Sequence, residues 1–396
     1  MLDFRKQLIE SMALLETPEI QKHLISADRL STHYSYLPVE RRAGFMVTGN
    51  TNHPAFSTCV FYPGYYHYQL KPNQSASKAL KELLERYETL IDCGMAISIA
   101  YYYALLQAMV KIHGDKAGME RFDAIFGDEK GTAPASRMFI SKNGPQCLHP
   151  MDTEEYQVKF YVDPFQPLSL LTQAHGGKNK EQVLEVSKPG SMLIFEGDID
   201  PYKEKHPLGI DGGFNCIEVS KPPETKDVLV RTFGIKEPIS EAGLFEQHMA
   251  GFDKEPSPES LFINRLEYGE SFELRKKFKR ENVKGFLSAI IDCDDKIIEI
   301  VLTAPLPEVF ALLNQSIKTK VRQFATHENE AGIQRLEHDL ETRMKALSVN
   351  EPSTAPTVTP AFAIAKEAKG TKTAKANEDM GWFKRDVFNK KSGIFK

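Results

Sequence analysis

The order of apolar and polar residues divides this chain into helical and extended stretches. Leu8, Met12, Leu14, Leu15, Ile20 and Leu24 recur at the spacing of one helix face, and Thr17-Pro18-Glu19 restarts a second helix at Pro18. Beyond Tyr34 the period changes. Arg42–Thr48 and Ser57–Tyr62 predict short strands, separated by the turn formers Asn50, Asn52 and Pro54. The aromatic run Phe61–Tyr68 reads either as an ordinary hydrophobic strand and turn or as a Tyr cluster able to hold peptide side chains. Ser75 or Ser77 caps a helix over Lys78–Glu88, buried through Ala79, Leu80, Leu83, Leu84 and Tyr87. A short helix is expected over Gly118–Phe126, and a loop or short helix over Leu168–Gly177.

Tyr156–Val162 alternates as a strand does. Strands are also expected after the turn Lys188-Pro189-Gly190-Ser191, over Gly212–Val219, and over Val228–Ile235. Phe286–Asp292 and Lys296–Leu302 predict a hairpin or paired strands. Pro305–Phe324 and Ile333–Leu347 predict amphipathic helices.

The stretch Ile91–Val110 stands apart. It predicts a helix opening at or just after Cys93, with almost no polar residue until Lys111, and so buried on nearly every side. Its end is expected at Gly114. Its first turn holds a cysteine, with Asp92 before it and Gly94 after it. Free N–H groups and the positive end of the helix dipole stabilise a thiolate there, while Gly94 admits a close neighbour. A cysteine beside an apolar helix is more commonly inert packing. The Asp-Cys-Gly context at a helix start is what argues for a nucleophile.

Length and composition narrow the classes. The 396 residues suffice for two or three domains, and 41% hydrophobic with 26% charged residues describes a globular chain. The expected organisation is an N-terminal helical and strand extension over 1–60, a catalytic domain over 61–255, and a mixed accessory domain with C-terminal helices over 256–349. A disordered tail rich in Pro, Thr, Ala and Lys is expected over 350–396. Residues 256–396 are candidate docking surfaces. A net charge of −4 gives no case for nucleic acid. The N-terminus lacks the apolar run of a secretory signal, and Gly94–Val110 falls short of the about 20 residues a membrane span needs. No stable membrane insertion is expected, and a cytoplasmic location is the default, with translocation by a specialised secretion system as the alternative. The five cysteines form no CxxC pair, HExxH is absent, and no glycine-rich phosphate loop occurs; neither metal nor cofactor is expected.

Acyl transfer through cysteine needs a thiolate, a proton carrier and donors for the oxyanion. Cys93 and the N–H groups of its helix supply the first and the last. His206, between two predicted strands, is the preferred proton carrier; a surface histidine in Lys-His-Pro is the plain alternative. His175 in His-Gly-Gly is a weaker candidate. Asp92 acts on the thiol, caps the helix or orients a base. Asn215 orients a histidine or satisfies a strand edge.

Two ordered blocks carry a resemblance. Asp92-Cys93 with Ala96-Ile97-x-Ile99-x-Tyr101-Tyr102-x-Ala104-Leu105 resembles the nucleophile helix of the bacterial spore-coat protein-glutamine gamma-glutamyltransferases. Gly190-x-Met192-Leu193-x-Phe195, followed by Tyr202-x-x-Lys205-His206-Pro207-x-Gly209-x-x-x-Gly213-x-Asn215-x-Ile217, is similar to that family's second block, and Phe233-Gly234-Ile235 to the segment after it. The match spans roughly residues 85–250.

The resemblance implies an α+β fold with a papain-like core, in which the helix that opens with the Cys packs on an antiparallel sheet, with helical N- and C-terminal additions. It implies a Cys93 thioester with a protein glutamine, resolved by a lysine or other amine, or by water. Two departures stand out. The family's acid between the Gly and the Asn is Phe214 here, and its later His falls on Arg231 or a neighbour. Cys93 and Asp92 therefore carry over and the base does not. Either Asp92 or His206 takes that task, or the chain is a binding or adaptor protein on a degenerate scaffold. A cysteine peptidase passes through the same acyl-enzyme and is a further alternative.

Overall fold

The computed structural model describes residues 3–26, 51–62, 65–127, 137–140, 144, 149–151, 159–161, 167–176, 185–197, 202, 205–206, 211–221, 227–258, 260–261 and 283–316. The strand expected over Arg42–Thr48, the helix over Ile333–Leu347 and the tail lie outside them.

In chain order the elements begin with α1 (Phe4–Leu15), α2 (Pro18–Gln21), β1 (Leu24–Ser26), β2 (Phe56–Tyr62) and β3 (Tyr65–Leu70). Then come α3 (Ala76–Glu85), β4 (Thr89–Ile91), α4 (Cys93–His113), α5 (Asp115–Phe126), β5 (Phe139–Ile140), β6 (His149–Met151) and β7 (Lys159–Tyr161). A 3-10 turn over Pro167–Leu170 leads to β8 (Thr172–Gly176), β9 (Met192–Gly197), β10 (Gly213–Ser220), β11 (Leu229–Thr232) and β12 (Ile239–Ser240). The last elements are α6 (Glu241–Asp253), β13 (Gly285–Cys293), α7 (Asp295–Thr303) and α8 (Leu306–Ser316).

The fold is mixed α+β. Its centre is a six-stranded antiparallel sheet in the order β12-β11-β10-β9-β13-β8, accompanied by smaller sheets, of which β1-β4 is a parallel pair.

Helix α4 is the apolar stretch expected from the sequence. Among the described residues it is the helix long and apolar enough to cross a membrane, yet most of it is buried within the fold. It begins where the Asp92 carboxylate accepts from the Met95 N–H (2.8 Å) and ends at Gly114, at φ 83°. At Gly118 a Cβ would lie 2.5 Å from the Val110 backbone, so only glycine lets α5 fold back so closely along α4. The two buried tyrosines of α4 fasten it to both sides of the fold. The Tyr102 hydroxyl accepts from the Phe139 N–H (3.1 Å), and the Tyr101 hydroxyl meets Cys293 Sγ (3.3 Å).

One face of the sheet lies toward α4. Met192, Ile194, Ile217 and Ile291 join the cluster built on α1, α4 and α7. The other face lies toward α6, where Leu193, Phe195, Phe214, Cys216, Val230, Leu287 and Ile290 pack. Neighbouring strand residues point to opposite faces, so this division follows from period-two alternation.

Three expectations are corrected. Lys296–Leu302 is helix, not strand: Ile297, Ile298, Val301 and Leu302 are the buried positions, at helical spacing, and Asp294 caps the first turn through the Ile297 N–H (3.2 Å). Its far end is closed by another element, since Arg121 donates to the Val301 and Ala304 carbonyls (2.7 and 2.6 Å). Thr172–Gly176 is an edge strand beside β13. Finally, β13 comes from the stretch expected to be a separate accessory domain, yet it sits between β9 and β8. The N-terminal extension is likewise integral, with Leu8, Met12 and Leu15 fully buried in the α4 core.

Candidate active site

The end of β11 creates the site. The β10–β11 ladder begins at Cys216↔Thr232, while Gly213, Phe214 and Asn215 pair only with β9. The N–H and C=O of one strand residue point to the same neighbour, so Asn215 directs both toward the place β11 has left. The carbonyl is taken by the Thr232 hydroxyl (2.9 Å). The N–H donates to Cys93 Sγ (3.4 Å), and the Asn215 side-chain Nδ2–H donates to the same sulfur (3.3 Å). The half-buried Cys93 thus occupies the position of a ladder partner.

Of the residues singled out in the sequence, Asn215 is brought to Cys93, whose chain neighbour is Asp92. Among the described residues the N–H groups on Sγ are those of Asn215 and the Gly94 backbone, and no imidazole is hydrogen-bonded to it. The expectation of a lowered thiol pKa is corrected. Burial pushes Cys93 up, the neighbouring Asp92 charge pushes it further, and the N–H groups of Asn215 and Gly94 only partly oppose this. The cap explains the failure of the dipole argument. Asp92 places a negative charge next to the sulfur and takes the Met95 N–H that would otherwise add to the positive helix end.

His206 is not brought to Cys93. Its ring lies 5.3 Å from that of Tyr202, and its Nε2–H donates to the Phe252 carbonyl (3.0 Å) in the last turn of α6. Tyr202 in turn stacks on His248 (5.2 Å), which contacts Phe195 on the α6 face. His206 therefore belongs to the face of the sheet turned away from α4. His175 pairs through its backbone with Ile290 on edge strand β8, separated from β10 by β9 and β13. Arg231 pairs with Ile217 and donates to the Lys236 carbonyl (2.9 Å).

Phe214, standing where the resemblance expects an acid, packs 5.9 Å from Phe195 on the α6 face. In this register a carboxylate at 214 would point away from Cys93. The position the sheet offers to the thiol is 215.

Two contributors escaped sequence reasoning. Thr232 holds the Asn215 carbonyl, and no sequence signal marks it. Gly144, at φ 80°, lies by the first turn of α4, where a Cβ would come 2.9 Å from the Met192 methyl and 3.8 Å from the Gly94 carbonyl oxygen.

Among the described residues no group of three or more His, Cys, Asp or Glu side chains is placed to hold a metal ion. No protein-family model, no curated protein and no solved structure matches this chain. Chemically, the site offers a protonated thiol, an adjacent carboxylate, and N–H donors that can pass from sulfur to a developing oxyanion.

Proposed function

We propose that this chain is a cysteine-dependent protein-glutamine acyltransferase with Cys93 as its nucleophile and a papain-like arrangement of helix and sheet. The observation that carries the reading is the convergence of two Asn215 N–H groups on a cysteine at the start of a buried helix. Sγ attacks the carboxamide carbon of a glutamine side chain, and its proton passes to the Asp92 carboxylate. The carbonyl electron pair moves onto oxygen, where the N–H groups of Asn215 and Gly94 receive it. Collapse of this intermediate expels ammonia, which takes up the proton, and leaves a thioester. A lysine amine then yields an isopeptide bond, and water yields glutamate.

Asn215 is thus a donor to sulfur and oxyanion, not the orienter of a histidine. An ordinary carboxylate is a weaker base than imidazole by more than two pH units, a handicap of about 3 kcal/mol. Turnover should accordingly be slower than in a Cys–His enzyme.

A second reading draws on the same handicap. The raised thiol and the apolar Phe214 favour a binding protein on a scaffold that has lost its base. One experiment separates the two. The full chain and Cys93→Ala are incubated with a glutamine-rich protein and a fluorescent primary amine while ammonia is followed. Cys93-dependent incorporation supports the transferase, and Cys93-dependent ammonia without incorporation supports deamidation. Neither signal, with a thiol that resists alkylation until unfolding, supports the binding scaffold.

A further inference from the structure

The register of β10 against β11 pairs Cys216 with Thr232 and Ile217 with Arg231, so an uninterrupted β11 would set Phe233 opposite Asn215. In such a pair Phe233 would give its N–H to the Asn215 carbonyl and take the Asn215 N–H on its own carbonyl. Two side chains stand in for it. The Thr232 hydroxyl supplies the donor (2.9 Å), and Cys93 Sγ supplies the acceptor (3.4 Å). The thiol thus fills one half of a vacated main-chain pair, and Thr232 fills the other.

Phe233 leaves the ladder through a turn. The Ile235 N–H donates to the Thr232 carbonyl (3.3 Å), and Gly234, the third residue of this turn, has φ 90°. A type II turn needs a positive φ at that place, which glycine adopts without strain. Among the described atoms none lies within 4 Å of where a Cβ would stand, so conformation and not space asks for glycine. Two contacts hold the turn. The Gly234 N–H donates to Glu16 Oε1 (2.9 Å), and Arg231 donates to the Lys236 carbonyl (2.9 Å). Glu16 ends α1, whose Leu8, Met12 and Leu15 are buried in the core that α4 shares. The helix that carries Cys93 and the turn that frees Asn215 are therefore fixed to the same α1.

We infer that Thr232 is a positioning residue for Cys93, acting through Asn215, and that Glu16 and Gly234 keep it in place. Thr232 is fully buried and takes the Asn215 carbonyl that the missing strand residue would have taken. With that carbonyl held, Asn215 stays extended and its N–H stays on the sulfur. Without the hydroxyl the carbonyl is an acceptor that has lost its donor, and the residue gains by turning toward another. The turn carries the N–H off Sγ, and a thiolate formed there loses a main-chain donor. The inference rests on the reading of Cys93 as the nucleophile, and its test follows thiol and turnover separately.

Alkylation of the full chain by iodoacetamide at pH 8, read at Cys93 by mass spectrometry, is the test. Thr232→Val keeps the shape and loses the donor. It should slow alkylation about tenfold, the worth of one hydrogen bond to a charged sulfur. Thr232→Ser keeps a hydroxyl and should stay within about twofold of wild type. The sign separates positioning from a merely structural role, because a loosened fold exposes a buried thiol and speeds its alkylation. Thr232→Val should also slow the Asn215→Ala chain, which retains the main-chain N–H. A wild-type or faster rate in Thr232→Val, or equal slowing in Thr232→Ser, would overturn the inference. Should Thr232→Val not fold, Glu16 decides. Glu16→Ala loses the acceptor for the Gly234 N–H, while Glu16→Gln keeps one. Slower alkylation with Ala alone supports the inference, and equal rates reject it. Amine incorporation is followed in the same chains. The predicted slowing without any incorporation rejects the acyltransferase and keeps the role of Thr232. Cys93-dependent incorporation with unslowed alkylation in Thr232→Val does the reverse.

Discussion

On the α4 face of the central sheet a cysteine meets an amide; on the α6 face a tyrosine lies between two histidines. Adjacent residues of β10 separate these regions, for Asn215 touches the thiol while Phe214 packs with Phe195. The α4 face is capped by an N-terminal helix end and offers backbone N–H groups. The α6 face draws side-chain N–H groups onto carbonyls. With the sheet between them, the His206 imidazole is not placed to exchange a proton with Cys93.

Substitutions can break or sharpen this contrast. Cys93→Ala should have the largest effect, lowering amine incorporation at least about a thousandfold while the fold persists. Retention of a tenth of the activity would end the assignment of Cys93. Asp92→Asn should move two readouts in opposite directions. Acyl transfer should fall about a hundredfold, the share typical of a general acid–base. Alkylation of Cys93 at pH 8 should rise, because the charge that pushes the thiol up is gone and Asn caps as well as Asp. A fall in both would reduce Asp92 to a structural cap.

Asn215→Ala should slow alkylation at fixed pH by roughly tenfold, the worth of one hydrogen bond to a charged sulfur. An unaltered pH profile would remove Asn215 from the thiol site. In the wild-type chain the alkylation rate should still be climbing through pH 9, since a raised thiol ionises only above the ordinary range. A plateau below pH 8 would contradict the burial of the sulfur. Phe214→Leu should do least, costing under about 1.5 kcal/mol in denaturant unfolding. It should leave the alkylation profile unchanged, and a shifted profile would show that position 214 reaches the α4 face after all.

Much of the site was readable before the fold. The apolar run after Cys93 and the stretch Gly212–Val219 are local signals, and each produced the element expected, while of the three roles open to Asp92 the structure shows the cap. The failures were of two kinds. Lys296–Leu302 misled because Ile and Val favour strands, while the Asp294 cap and the burial of Ile297, Ile298, Val301 and Leu302 favour a helix. The domain boundary near 255 misled because a polar, Pro-rich stretch says nothing about β13 returning to pair with β9 and β8.

By itself the sequence determined that a buried helix starts at or just after Cys93, that a cysteine stands in its first turn, and that Asp92 is a candidate for its cap. These depend on φ/ψ preferences and on hydrogen bonds three or four residues apart. The tertiary structure alone decided that β11 stops at Thr232, that Asn215 and not Phe214 faces the thiol, and that His206 belongs to α6. Strand register and the face on which a loop lands are set by pairing and burial between distant segments, and no local pattern encodes them.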